Sequence, residues 1–119
     1  MATILIIDDE ESIRMIFQVA LERAGYRVLT AEHGKAGLRL LEHQAVDLIV
    51  VDILMPEMDG LELIPLIRKT RPATKMIAIS GGSGLRDYLG TAKKLGAHET
   101  LKKPFSTQEL LDAVSAQLK

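Results

Sequence analysis

The chain has 119 residues, 47% hydrophobic and 26% charged, which is enough to bury a core without staples and too apolar for lasting disorder. Lys+Arg number 15 against 16 Asp+Glu, a net charge of −1, and that balance gives no sequence-wide basis for binding nucleic acid. The absence of cysteine excludes disulfides, thiolate chemistry and Cys-ligated zinc, and no apolar run approaches the roughly 18 residues a membrane span needs.

The first predicted element is a strand over 3–8, carried by Ile4-Leu5-Ile6-Ile7 and ending in Asp8-Asp9. Its apolar run is continuous rather than alternating, as in a parallel strand covered on both faces. The N-terminus lacks the basic stretch of a signal peptide, so a soluble, cytoplasmic domain is expected. A helix over 10–24 follows, with Ile13, Ile16, Phe17, Ala20, Leu21 and Ala24 on its core stripe and Gly25 as its stop. A strand at 27–31 and a helix at 34–43 come next. The strand at 47–52, Leu48-Ile49-Val50-Val51-Asp52, is the most hydrophobic and ends in an acid. The helix at 60–70 contains Pro65, which removes a backbone donor. A strand at 75–80 ends in Ser80, followed by the glycine-rich Gly81-Gly82-Ser83-Gly84 and a helix at 85–95. The last strand, 97–102, leads to Lys103-Pro104, and a helix over 106–118 opens with Ser106 and Glu109 in capping-box spacing.

Five alternating β and α elements, with no linker or repeat, predict one α/β domain over 1–119: a doubly wound parallel sheet flanked by five helices. In such sheets ligands bind outside the carboxyl ends of the strands. Those ends carry Asp8, Asp9, Asp52, Ser80 and Lys103. Carboxylates crowded on one rim repel and raise one another's pKa unless a cation joins them, and oxygen-only ligation suits magnesium. Lys103 and Lys102 point to opposite sides of their strand, so only one can face the rim. The three histidines, His33, His43 and His98, have no metal-ligand spacing. Together the rim reads as a phosphoryl site: a metal neutralises the acids, lysine and hydroxyl meet phosphate oxygens, and one carboxylate serves as nucleophile.

Asp8-Asp9, the run Asp52-Ile53-Leu54-Met55-Pro56-Glu57-Met58-Asp59-Gly60, Ser80-Gly81 and Lys103-Pro104-Phe105 resemble the receiver domain of two-component response regulators. The resemblance spans essentially the whole chain, with four motifs in order. It implies a flavodoxin-like sheet of order 2-1-3-4-5 and a phosphoacceptor signalling module rather than a metabolic enzyme. Carried over, Asp52 is the phosphoacceptor and Mg2+ the cofactor. Asp9 binds the ion directly and Asp8 mostly through water, with the Leu54 carbonyl as a further ligand. Ser80 is the switch hydroxyl, Lys103 pairs with the phosphoryl group, and the backbone of Ile53 and Gly81 contacts it. The Lys103–Pro104 bond is usually cis in the family, and Asp59-Gly60 shapes the turn into the third helix.

The implied partners are a histidine kinase or histidine phosphotransfer protein and a downstream protein bound through the fourth helix, fifth strand and fifth helix. No direct contact with nucleic acid or membrane is implied. Many receivers carry Tyr or Phe three residues before the lysine, where this chain has Thr100. The resemblance thus implies phosphorylation without the usual aromatic switch.

Three rivals are weaker. A pseudo-receiver would not need the intact acid set. A nucleotide binder would not place Asp-Asp-Glu-Glu in its first turn, which is hostile to phosphate. An aspartyl phosphatase would carry an acid two residues after its nucleophile, where Leu54 stands. The chain ends with its fifth helix, as expected of either a stand-alone regulator or a segment of a longer one.

Overall fold

The computed structural model describes residues 1–55, 58–81 and 88–119. Among them, strands β1 (Thr3–Ile7), β2 (Arg27–Ala31), β3 (Leu48–Asp52), β4 (Lys75–Ser80) and β5 (Glu99–Lys102) alternate with five helices. The helices are α1 (Glu11–Arg23), α2 (Gly34–His43), α3 (Gly60–Thr70), α4 (Tyr88–Leu95) and α5 (Thr107–Gln117). Every strand pairing is parallel, and the order is β2-β1-β3-β4-β5. The chain therefore reverses direction across the sheet between β1 and β3, and pairing of Ile7 with Val51 brings the ends of those strands together.

The continuous apolar runs divide by alternation between two cores. Leu5, Ile7, Ile49, Val51, Met76 and Ala78 face a layer that includes Leu41, Leu63, Ile64, Ile67 and Ala92 from α2, α3 and α4. Ile4, Ile6, Leu48, Val50, Ile77 and Ile79 face Phe17 and Leu21 of α1 and Leu110 and Val114 of α5. Each such side chain, fully buried, contributes about 1.5–3 kcal/mol. With a 3% aromatic content, ring contacts are few; Phe17 stacks on Phe105 at 5.7 Å between centroids.

The local signals behave as their chemistry requires. Asp59 caps α3 by accepting from the Glu62 N–H at 2.9 Å, and Ser106 with Glu109 forms the capping box of α5. Pro65 lies inside α3 on its exposed side, where water can reach the Leu61 carbonyl that the ring leaves without a donor. α1 stops before Gly25, whose φ is +98°.

Two expectations need correction. Ile16, placed on the core stripe of α1, is 51% exposed beside Met15 and Val19, and Ala24 is also exposed. Ile16 lies about 100° around the helix from Phe17, at the edge of the buried stripe, and Ala24 has passed the last turn. The fifth strand begins at Glu99, not 97, because the Ala97 N–H turns back to the Ala92 carbonyl. The fourth helix is described from Tyr88, so 85–87, and the glycine-rich residues 82–84, lie outside the described residues.

Candidate functional site

The carboxyl ends of β1 and β3 place three acids together. One carboxylate oxygen from each of Asp8, Asp9 and Asp52 lies within 4.8 Å of the other two. Asp8 is 0% and Asp52 3% exposed, whereas Asp9, at the start of the loop to α1, is exposed. Burial pushes the Asp8 carboxyl up to about 6, with the negative charges of Asp52 and Asp9 adding to it against the Glu10 N–H and Lys103. Burial also raises Asp52, opposed by Lys103 and by the Leu54 N–H. Crowding acids out of water is unfavourable, and a cation among them removes the penalty.

Lys103 supplies part of that cation. Its Nζ lies 3.4 Å from Asp52 Oδ2 and 3.9 Å from Asp8 Oδ2. Its backbone N–H donates to the Ser80 carbonyl at 2.9 Å, which ties the end of β5 to β4, and the Lys103–Pro104 bond is cis. Its stem passes over Gly81, where a Cβ would stand 3.3 Å from Lys103 Cδ. Lys102 pairs with Ser80 in register and is exposed, so alternation delivers only Lys103 to the acids.

The hydrogen bonds around the acids leave one gap. Asp8 Oδ1 accepts from the Glu10 N–H at 2.9 Å, while Asp8 Oδ2 is buried with no hydrogen-bond partner. An orphaned carboxylate oxygen in a cluster of three acids is what a hard divalent ion would satisfy. The donor set fits magnesium: oxygen only, from three acids, with exposed Asp9 leaving room for water ligands.

Ser80 ends β4 and is buried, and exposed Gly81 follows it on the same rim. Leu54, two residues past Asp52, is 45% exposed, and its N–H donates to Asp52 Oδ1 at 3.1 Å. The Ile53 N–H donates to the Ile79 carbonyl at 2.9 Å, which carries the β3–β4 pairing one residue past Asp52. The Leu54 N–H gives the Asp52 carboxylate a main-chain donor beside the Lys103 ammonium.

Gly60 holds the site from behind. Its N–H donates to the Ile53 carbonyl at 2.8 Å, and a Cβ there would stand 2.7 Å from Ile53 Cα and 2.8 Å from the Asp52 carbonyl. Only glycine lets α3 start this close to the backbone of the acid. A contact that the motifs did not signal is Arg14, whose Nη1 donates to the Asp8 carbonyl at 2.6 Å. Its place one helical turn beyond Glu10 was the available clue.

Fold and site thus define a doubly wound α/β domain with a buried acid cluster at the crevice between β1 and β3. The chain belongs to the response regulator receiver domain family, which matches it over residues 4–115. It is 38% identical over 117 residues to the DNA-binding transcriptional regulator NtrC of Azospirillum brasilense, covering 98% of this chain and 24% of that protein. It is 36% identical over 116 residues to the alkaline phosphatase synthesis transcriptional regulatory protein PhoP of Bacillus subtilis, covering 98% and 48%. The chain therefore spans half or less of the length of these relatives.

Among solved structures, chemotaxis protein CheY4 of Vibrio cholerae superposes with a TM-score of 0.91 at 31% identity, covering 99% of both chains. The response regulator TrrA of Thermotoga maritima, solved in complex with Mg(2+)-BeF, gives 0.88 at 35% identity, covering 99% of this chain and 100% of the other. The protein is a signalling module of the two-component response regulators. No helix among the described residues is long and apolar enough to cross a membrane.

Proposed function

We propose that Asp52 accepts a phosphoryl group from a phosphohistidine in a magnesium-dependent transfer, and that residues 1–119 act as a single receiver domain. The observation that carries this reading is the cluster of Asp8, Asp9 and Asp52 beside the Lys103 ammonium, with Asp8 Oδ2 buried and lacking a hydrogen bond among the described residues. Asp8, Asp9 and Asp52, with the Leu54 carbonyl, would hold the ion, which supplies charge neutralisation for the acids and the phosphoryl oxygens.

An Asp52 carboxylate oxygen attacks phosphorus and forms the acyl phosphate. The P–N bond to the donor imidazole breaks, and the departing nitrogen keeps the electron pair. Lys103, already 3.4 Å from Asp52, shifts its ion pair to the phosphoryl oxygens. The Ser80 hydroxyl and the N–H groups of Leu54 and Gly81 offer further donors, so catalysis is positioning plus charge stabilisation. Water later attacks the same phosphorus and returns Asp52 to its carboxylate; this self-dephosphorylation is the only turnover proposed.

The phosphorylated domain would present a changed surface on α4, β5 and α5 to a downstream protein. The donor would be a histidine kinase or phosphotransfer protein, in the cytoplasm, with no direct role for nucleic acid or membrane. Thr100 is half-buried in β5, and its N–H is held by Glu99 Oε1 at 3.0 Å, so the switch would operate without an aromatic ring at that position. The expected movement of the 80–85 loop falls largely on residues outside those described. Intact mass after incubation with a small phosphodonor and magnesium should show one added phosphate, and Asp52→Asn none. Equal labelling of the variant, or no labelling of the wild type, would remove the assignment and favour a pseudo-receiver.

A further inference from the structure

Asp8 is fastened at nearly every polar atom. Its N–H donates to the Ala31 carbonyl at 3.2 Å, its Oδ1 accepts from Glu10, and its carbonyl accepts from Arg14 Nη1 at 2.6 Å. Only Oδ2, which lies 3.9 Å from the Lys103 ammonium, lacks a hydrogen-bond partner among the described residues. The carbonyl matters because it is half of the Asp8–Asp9 peptide. That unit is planar, so any rotation of the carbonyl swings the Asp9 N–H and Cα with it. Asp9 is exposed on a loop between strand and helix, and that plane sets where its N–H and Cα, and so the base of its side chain, stand.

We infer that Arg14 is a positioning residue for the acid cluster, setting the aim of Asp9 through the Asp8 carbonyl. The inference deepens the magnesium reading above and rests on it. The guanidinium bonds a main-chain oxygen, whereas the ammonium near the carboxylates belongs to Lys103. Arg14 therefore acts through orientation rather than as a counter-ion. It projects from α1, so the first turns of that helix and the metal acids form one unit.

Arg14 also lines an open cavity of about 280 Å³ with Thr30, Ala31, Glu32 and Ala36. If the guanidinium is removed, water from this cavity can hydrate the Asp8 carbonyl, so the fold survives while the peptide loses its fixed direction. Groups that orient metal ligands are worth roughly 10–100-fold in affinity, and a single bond to a main-chain oxygen belongs at the lower end.

The test uses the unphosphorylated chain and magnesium alone, followed by amide chemical shifts at Asp8, Asp9 and Asp52, with melting in EDTA measured in parallel. Arg14→Met should raise the half-saturating magnesium concentration roughly tenfold while leaving the EDTA melt near wild type. Arg14→Lys, which keeps a donor on a long stem, should restore most of the affinity. Arg39→Met removes the same charge from the exposed side of α2 and should stay within roughly twofold of wild type.

A change below roughly threefold for Arg14→Met, against the ten expected, overturns the inference. So does an equal effect from Arg39→Met, which would make net charge the cause, or loss of the fold in EDTA, which would make Arg14 merely structural. If the wild type itself shows no magnesium-dependent shifts, the functional reading falls as well; if it shows them and Arg14→Met matches it, only the role of Arg14 falls.

Discussion

The two rims of the sheet use similar polar residues to opposite effect. At the amino rim, side chains close hydrogen bonds that the strands leave open. Asp47 Oδ2 accepts from the Thr3 N–H at 2.8 Å, the Thr74 hydroxyl donates to the Val46 carbonyl at 3.1 Å, and His98 Nδ1 accepts from the Met76 N–H at 3.1 Å. At the carboxyl rim, Asp8, Asp9 and Asp52 crowd together, burial raises two of them, and Asp8 Oδ2 has no hydrogen-bond partner. An acid whose oxygens meet backbone donors completes the fold. Acids that meet one another leave a deficit that Lys103 offsets only in part and that a cation from outside would relieve.

The largest expected effect comes from relieving that deficit by mutation. The Asp8 carboxyl is raised from 3.8 to about 6, so the folded protein holds this proton more tightly than the unfolded chain. The stabilisation is fully present below the unfolded value and is lost as pH rises through about 6. At pH 7.5 without metal the loss is on the order of 3 kcal/mol. Asp8→Asn keeps an oxygen for the Glu10 N–H and removes the charge. It should therefore be more stable than wild type by about 1–3 kcal/mol in urea melts at that pH in EDTA. Its gain from magnesium should be small, while wild type should gain clearly. An Asp8→Asn protein no more stable than wild type in EDTA would mean that the acids are not in conflict.

Next in size is the contrast between adjacent lysines. Lys103 faces both buried acids, and Lys102 faces water. Lys103→Met should cost about 1–2 kcal/mol in EDTA, less than a fully buried pair would because the ammonium is partly solvated, and it should impair phosphate gain on Asp52. Lys102→Met should stay within roughly 0.5 kcal/mol of wild type and label normally. The reverse ranking would shift the register of β5 by one residue.

Much of this arrangement was legible in the sequence, for physical reasons. Strands covered on both faces must be apolar throughout, so β1, β3 and β4 stood out within a residue of their ends. The capping box of Ser106 and Glu109 follows from local chemistry that tertiary context does not alter. The acids Asp8, Asp9 and Asp52, with Lys103, were found because strand ends of a doubly wound sheet converge. What escaped depended on neighbours distant in sequence or on main-chain direction. Ile16 has core chemistry but lies at the edge of its stripe. Arg14 looks like any helix-surface arginine until the loop folds back beneath it. At the start of β5 the Ala97 N–H turns back to the Ala92 carbonyl, and the His98 ring takes the Met76 N–H, neither of which propensity encodes.

That ring gives the smallest expected effect and the one that separates the rims most cleanly. His98 donates its N–H to the Met76 carbonyl at 2.8 Å and takes the Met76 N–H on Nδ1, so the pair closes the edge of β4 just before β5 begins. Burial lowers the His98 pKa below 6.5, and Lys75 on β4 and Arg68 on α3 lower it further. The folded protein therefore binds this proton less tightly than the unfolded chain. The stabilisation is present above 6.5 and is lost as pH falls from there through the folded value, opposite in sign to Asp8. In wild type without metal the two slopes oppose each other, so the comparison belongs in an Asp8→Asn, Asp52→Asn background. There, stability should fall as the pH drops from 7 to 5. Adding His98→Phe should lower stability at pH 7 by about 1 kcal/mol, the worth of one hydrogen bond to the backbone, because the Met76 N–H loses its acceptor, and should flatten the slope. Adding His98→Asn offers an oxygen near the place of Nδ1 and does not titrate, so it should keep the stability and still flatten the slope. If the asparagine variant retains the full pH dependence, other groups titrate in that window, and the amino rim is not sealed by His98.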